Sequence, residues 1–333
     1  MTSVSSSHRP LYIISGPTAS GKTHTAIDLA KRLQGLSLQA EIVNFDSIIF
    51  YKELNIGSAK PTLEERQDVT HHLIDVANVQ TPLNASDYVD MAEKKIDQLH
   101  AKGIIPILTG GSAFYLRALI KGMYDSPKVS PEIKKELDEL YSKQGIDPII
   151  EYLQEHDPES LETLHSNDHY RLMRAYEHYR ATKKKFSEQK KKYDNKNPYD
   201  FSEARREDWD IWHIYLDIPK EKHWDIINLR SHKMISDGLL DEVQLLLSQG
   251  ISSNAKPLQS VGYKEVTQLL EGQFDNLDDC VERICISTRQ LAKSQRTFFN
   301  KIMPKQRYNP LIDSQRLLKE ACEFLKSHQQ GTL

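Results

Sequence analysis

The amino-acid sequence predicts an α/β fold, a parallel sheet flanked by helices, with a helical insertion domain set into it. Three observations carry this expectation. Short apolar runs alternate with helical periodicity through the first 120 residues. From about Lys121 helical periodicity and charge take over, and a single apolar run, Trp212 to Ile218, then follows. Alternating strands and helices are the pattern of a parallel sheet whose crossovers are helices, and a late apolar run returns the chain to that sheet.

Taken in order, residues 1–10 are expected to be a disordered N-terminus, and residues 11–15 a first apolar strand. A glycine loop follows, then a helix with Ala26, Ile27, Leu29, Ala30 and Leu33 on one face. Further strands are expected at Glu41 to Phe45, His72 to Val76 and Ile104 to Leu108, with a helix over Ala85 to Leu99. The core is thus assigned to residues 11–120 and 205–333, and the helical insertion to 121–204. The insertion carries Lys183 to Lys185 and Lys190 to Lys192, with Phe186 and Tyr193 beside them, a candidate grip for RNA. Pro219 ends the returning strand, and Lys222 to His328 reads as helices joined at Gly238, Gly250 and Gly262.

Composition narrows the class. No apolar run approaches the ~18 residues of a spanning helix, and the N-terminus lacks the basic and apolar regions of a signal peptide. Cys280, Cys285 and Cys322 form neither a disulfide framework nor a CxxC zinc pair, so a reduced, cytoplasmic protein is expected. Lys and Arg number 44 against 47 Asp and Glu, a net charge of −3, so any nucleic-acid partner must be sought in local clusters. One such cluster runs from Arg283 to Arg307, with Arg289, Lys293, Arg296, Lys301 and Lys305 between and no acid among them. Phe298 and Phe299 lie within it, which suits phosphate contact combined with base stacking.

Gly16-x-x-x-x-Gly21-Lys22-Thr23, after a strand and before a helix, is a P-loop. Its glycines let backbone N–H groups converge on phosphate oxygens, the helix directs its positive end at them, Lys22 adds a cation and Thr23 a hydroxyl for Mg²⁺. The loop calls for a diphosphate or triphosphate without saying which. A hydrolytic loop of this kind normally works with an acid at the end of another strand. Here Ile104 to Leu108 runs instead into Thr109-Gly-Gly-Ser112. Asp46, at the end of the second strand, can serve either as a general base or as a cap for the next segment. On these residues alone a small-molecule or nucleoside kinase and an RNA-binding protein switched by its ligand remain open readings. His71 and His72 are adjacent on a strand and face opposite ways, so they are expected to be structural rather than a shared metal site.

The segments GPTASGKT (Gly16 to Thr23), DSIIFYKELNIGSAKP (Asp46 to Pro61), HHLID (His71 to Asp75), GGSAFYLRAL (Gly110 to Leu119), NDHYRLMRAYE (Asn167 to Glu177), SVGYKE (Ser260 to Glu265) and TRQLAKSQRTFF (Thr288 to Phe299) occur in this order. In that respect the chain resembles the bacterial tRNA dimethylallyltransferases from about residue 11 to 310. The resemblance implies a P-loop NTPase-like fold and transfer of a dimethylallyl group from dimethylallyl diphosphate to N6 of the adenosine just 3′ of the anticodon. It implies Mg²⁺ as cofactor, the tRNA anticodon stem-loop as partner, no membrane, and a monomer. Gly16, Pro17, Thr18, Ala19, Ser20, Gly21, Lys22 and Thr23 would cradle the diphosphate, with Thr23 on Mg²⁺. Asp46 would act as general base, and Arg230 would face the departing diphosphate. The implied tRNA contacts are Asp46, Ser47, Ile48 and Ile49; Ser112; Tyr170, Arg171, Leu172, Met173 and Arg174; Gln259, Ser260, Val261, Gly262, Tyr263 and Lys264; and Lys293, Ser294, Gln295, Arg296, Thr297, Phe298, Phe299 and Asn300. Four departures stand out. Many members have Gln at the position of Ile49, where it reads the adenine, which here leaves that reading to backbone groups nearby. Ser112 stands for Thr, Ser294 for a basic residue, and Phe298 or Phe299 for Trp.

Overall fold

The structure is a computed structural model that describes residues 9–123, 129–194 and 197–329, without the side chains of 190, 192–194 and 327–329. Residues 1–8 of the expected N-terminal tail, and the Lys190, Lys192 and Tyr193 side chains of the second lysine cluster, therefore lie outside the described residues. The chain divides into two compact units, residues 1–121 with 199–333, and residues 122–198.

The first unit is built on one sheet. Its strands are β1 (Arg9–Ser15), β2 (Ala40–Asn44), β3 (His71–His72), β4 (Ile105–Thr109), β5 (Trp209–Leu216) and β6 (Gln306–Tyr308). They lie in the order β3-β2-β4-β1-β5-β6, every pairing parallel. The helices α1 (Lys22–Gln34), α2 (Ala85–Ala101) and α3 (Ala113–Lys121) precede the second unit in the chain. The second unit holds α4 (Pro131–Gln144), α5 (Asp147–His156), α6 (Pro158–Thr163), α7 (His169–Thr182) and α8 (Phe186–Asp194). After it come α9 (Lys220–Ser236), α10 (Leu239–Ser248), a 3₁₀ turn at Lys256–Gln259, α11 (Tyr263–Leu270), α12 (Leu277–Lys301) and α13 (Ser314–Gln329).

The apolar run of β1 is continuous because a central parallel strand is buried on both faces. Tyr12 and Ile14 point from it into a cluster with Ala26, Leu29 and Leu33 of α1 and with Leu317 and Ala321 of α13. In the second unit, Leu137, Ile149, Leu153, Leu172, Ala175, Tyr176 and Phe186 form the core. A buried carboxylate, Asp157, staples that unit by accepting hydrogen bonds from Ser160 Oγ (2.6 Å), Ser187 Oγ (2.5 Å) and Ser187 N (3.1 Å).

Three expectations need correction. β1 begins at Arg9, inside the stretch expected to be disordered, because Arg9 forms ion pairs with Asp97 (2.9 Å) and with Asp208. The expected strand His72 to Val76 shrinks to His71–His72, because Leu73 and Asp75 take left-handed backbone angles (φ 57° and 58°) that no strand admits. The C-terminal region is not helical throughout, since β6 adds an edge to β5. With three residues, two of them exposed, β6 is too short and polar to show alternation. His71 and His72 do have separate partners. His71 Nδ1 lies 2.8 Å from the Val69 carbonyl, and His72 Nε2 2.5 Å from Glu41 Oε2.

One acid on α10 organises the loop that follows β2. The Glu242 carboxylate accepts hydrogen bonds from the backbone N–H of Asn55 (3.0 Å), Ile56 (3.0 Å) and Gly57 (3.3 Å), and from Tyr263 Oη (2.6 Å). Gly57 is obligatory there, since a Cβ would lie 2.5 Å from the Tyr263 ring. Removing the carboxylate leaves several polar groups without an acceptor. Glu242→Ala is therefore expected to lower stability by about 3 kcal/mol, seen as a lower thermal midpoint, and an unchanged midpoint would show the loop held by packing alone.

Candidate active site

Four segments that carry the candidate residues leave the carboxyl ends of adjacent strands, the place where open parallel sheets bind ligands. The glycine loop follows β1, Asp46 follows β2, Gly110 to Ser112 follow β4, and Asp217 to His223 follow β5; β6 lies beyond β5. Gly16 is at φ 156°, and a Cβ on it would meet the Leu216 carbonyl at 2.6 Å, so only glycine lets the loop pass this close to β5. Gly21 caps α1 at φ 80° with no side-chain hydrogen bond, which leaves the first-turn amides of α1 for an anion. Inside the loop the Ser20 hydroxyl is buried with no hydrogen-bond partner.

Lys22 Nζ donates to the Pro17 carbonyl (2.8 Å). Enclosure by protein lowers its pKa to about 8, with Asp46 opposing that fall and Arg230 adding to it. Burial also lowers Arg230 from its ordinary value, again opposed by Asp46.

Thr18 is the best-tethered residue of the loop. Its N–H donates to Gln295 Oε1 (2.7 Å), its hydroxyl accepts from Arg230 Nη2 (2.7 Å), and its carbonyl lies 2.8 Å from His223 Nε2. Gln295 Nε2 also donates to the Gly111 carbonyl (2.9 Å), so this one side chain of α12 spans the glycine loop and the turn after β4.

Asp46 is held by its neighbours. Its N–H donates to Asn44 Oδ1 (2.9 Å), its carbonyl accepts from Asn44 Nδ2 (3.0 Å), and its Oδ1 accepts from Ile48 N–H (3.2 Å). Through Oδ1 it caps a turn, yet Oδ2 is directed elsewhere. A Cβ on Gly111 would lie 3.2 Å from Oδ2, and one on Gly110 would strike the Phe45–Asp46 backbone at 2.6 Å. The Gly-Gly pair is therefore what lets this acid sit against the turn after β4. Ser112 Oγ ties the same two segments, accepting from Ser47 N–H (2.9 Å) and donating to Ser47 Oγ (3.0 Å).

Several residues assigned to tRNA contact are placed otherwise. Leu172 lies in the core of the second unit, Tyr263 is buried with its hydroxyl on Glu242, and Phe299 is fully buried. Phe299 belongs to the inward stripe of α12, with Ile284, Thr288 and Ala292, so it has no face left for a base. Arg296 is not a free cation. Its Nε pairs with Asp217 Oδ1 (2.9 Å), and its Nη2 donates to the Ile218 carbonyl (3.2 Å) and to His223 Nδ1 (3.1 Å). Arg307 shares Asp217 (3.3 Å), Arg289 bonds Asn228 (2.6 Å), and Lys305 turns to the Ile302 carbonyl (2.6 Å). Of the one-signed run, Arg283, Lys293 and Lys301 stay exposed, as do Ser294, Thr297 and Asn300, while Phe298 is half-buried against Tyr199 at 5.4 Å. On α7 Tyr170 is exposed, Met173 packs on the core, Arg171 pairs with Asp168 and Arg174 with Glu177. Gln259 and Lys264 are exposed, Ser260 Oγ donates to the Pro257 carbonyl (2.6 Å), Val261 is half-buried, and Gly262 caps α11 at φ 94°. Ile48 packs against a core cluster and Ile49 is half-buried.

Sequence reasoning missed Asn44, Asp217 and His223. None lies in a recognisable motif, and the Thr18 carbonyl and His223 are 205 positions apart in the chain.

Comparison with known proteins identifies the family. The family model described as IPP transferase matches residues 49–302. A tRNA dimethylallyltransferase of Geotalea daltonii is 37% identical over 291 residues, covering 87% of this chain and 85% of that protein. The solved structure of a tRNA isopentenylpyrophosphate transferase from Staphylococcus epidermidis superposes with a TM-score of 0.65 at 31% identity, covering 96% of this chain and 99% of that one. A eukaryotic dimethylallyltransferase acting on tRNA shares the fold at a TM-score of 0.78 and 23% identity, over 96% of this chain and 80% of its own. On a family match over most of its length and a relative this similar, the chain belongs to the IPP transferase family.

Proposed function

We propose that this protein is a transferase that moves a dimethylallyl group from dimethylallyl diphosphate to N6 of adenosine-37, just 3′ of the anticodon, in tRNAs that read codons starting with U. The observation that carries the reading is the convergence on one phosphate-binding loop of Lys22, bonded to the Pro17 carbonyl, and Arg230, bonded to Thr18, with Asp46 against the turn at Gly111 that Gln295 ties to the same loop. A kinase-like hydrolytic acid is not found at the end of β4, where the chain turns through Gly110 and Gly111 instead.

In this reaction the N6 lone pair attacks C1 of the dimethylallyl group, the C1–O bond breaks, and its electrons leave with the diphosphate. The amine lone pair is delocalised into the adenine ring and is a poor nucleophile. Loss of its proton to Asp46 as the C–N bond forms therefore lowers the barrier. The amides of Gly16 to Thr23 hold the diphosphate, while Lys22 and Arg230 offset the charge that grows on it. The Thr23 hydroxyl is a hard oxygen donor suited to Mg²⁺, and the diphosphate oxygens would be further hard donors for the same ion. When bound, Mg²⁺ neutralises diphosphate charge and eases its departure. Exposed Lys293 and half-buried Phe298 on α12 supply phosphate and stacking contacts for the anticodon arm. The target base has to leave its stack for N6 to reach the donor, a cost of a few kcal/mol that such contacts offset.

The test is incubation with unmodified tRNA and labelled dimethylallyl diphosphate. The expected result is label in tRNA that requires Mg²⁺, with Lys22→Ala raising the KM for the donor at least ten-fold and leaving tRNA affinity unchanged. Phosphate transfer from ATP without prenyl transfer would replace this reading by the kinase one.

A further inference from the structure

We propose that His223 is a positioning residue of the diphosphate site, holding the Thr18–Ala19 peptide in the one orientation that presents its N–H to an anion. The inference rests on the diphosphate reading above. His223 is 1% exposed, and its two ring nitrogens have different partners. Nδ1 lies 3.1 Å from Arg296 Nη2, and Nε2 lies 2.8 Å from the Thr18 carbonyl oxygen. A guanidinium can only donate, so Nδ1 is the acceptor and the ring proton sits on Nε2, aimed at Thr18. Arg296 is itself fixed by Asp217 Oδ1 at 2.9 Å and by the Ile218 carbonyl at 3.2 Å. The chain Asp217, Arg296, His223 therefore selects one tautomer and delivers one N–H to one carbonyl.

What that carbonyl does follows from peptide geometry. In a planar trans peptide the C=O and the following N–H point in opposite directions. Holding the Thr18 oxygen at His223 directs the Ala19 N–H the other way. Flipping the peptide would turn an oxygen toward the negatively charged diphosphate. Such a flip is a real alternative for this loop, because Ala19 sits at φ 61°, a left-handed conformation that costs a residue with a side chain about 1 kcal/mol or more. Gln295 and Arg230 hold the Thr18 amide and hydroxyl, which leaves the peptide that follows to His223 alone among these three. Burial and the charges of Arg296 and Lys22 depress the His223 pKa, against the Thr18 hydrogen bond and Asp217, so the ring stays neutral and keeps Nδ1 as an acceptor.

The experiment is calorimetric titration of inorganic pyrophosphate with Mg²⁺ into the full-length protein and its variants, with tRNA affinity measured in parallel. His223→Leu and His223→Asn remove the donor or shorten it out of reach, and each should weaken pyrophosphate binding roughly 3- to 12-fold, the loss of one hydrogen bond. His223→Gln places an N–H near the position of Nε2 and should bind within about two-fold of the parent. All three should bind tRNA as the parent does. If His223→Leu does not fold, the Asn and Gln pair carries the comparison. Equal affinity of the Asn and Gln variants overturns the proposal, provided Lys22→Ala weakens binding as a loop lysine must. If Lys22→Ala also binds normally, the diphosphate does not sit on this loop, and the reading of the site falls together with the role of His223.

Discussion

Replacing Asp46 by asparagine is expected to slow prenyl transfer by about 10² to 10⁴ fold, the usual contribution of a general base, while tRNA affinity stays within a few fold. Asparagine is the informative substitution because Asp46 has two tasks. Its Oδ1 accepts the Ile48 N–H at 3.2 Å, and an amide oxygen can accept that bond equally well. Its other oxygen faces the turn at Gly111, and an amide there cannot take a proton from N6. Asp46→Asn therefore keeps the cap and removes the base. Single-turnover rates with saturating donor and tRNA separate the two roles, and a rate equal to the parent would leave Asp46 as a cap only. Asp46→Ala should lose the same rate and also loosen the segment from Ser47 to Tyr51.

Arg230→Ala is expected to lower kcat by about 10² to 10³ fold, the cost typical of removing one charge-stabilising donor from a transition state. The guanidinium is half-buried and keeps its charge although burial pulls its pKa down, so its field is weakly screened where the diphosphate departs. It also binds Thr18 Oγ1 at 2.7 Å, which offers a second explanation for any loss. Thr18→Val removes that hydrogen bond and leaves the charge. A loss in Thr18→Val as large as in Arg230→Ala would make the arginine a tether of the loop, whereas a much smaller one assigns the effect to charge.

Much of the site was legible in the sequence. Gly16 to Thr23 is a local solution to anion binding, with the glycines, lysine and hydroxyl within eight successive residues, and a strand and a helix on either side follow from periodicity. Asp46 was legible as a strand-end acid but not as a base or a cap, and the structure has it capping with one oxygen while the other is turned to Gly111. The basic run from Arg283 to Arg307 misled in part. Seven cations of one sign read as a surface, yet Arg296 and Arg307 share Asp217, which stands 79 and 90 positions earlier. Phe299 follows the same logic: it continues the inward stripe of α12 seven residues on from Ala292, although cations flank it in the sequence.

By itself the sequence determined the elements whose causes are local: the glycine loop, the apolar central strand β1, the glycine breaks at Gly238, Gly250 and Gly262 with φ between 82° and 104°, and the change to helices after Lys121. Only the tertiary structure decided which partners satisfy the polar groups of that loop. Gln295, Arg230 and His223 reach Thr18 from 277, 212 and 205 residues away, brought there by the return of β5 beside β1 and by the packing of α9 and α12. A hydrogen bond extends about 3 Å and carries no memory of sequence distance, so the local pattern of a loop names its ligand class while the fold alone names the side chains that hold it in shape.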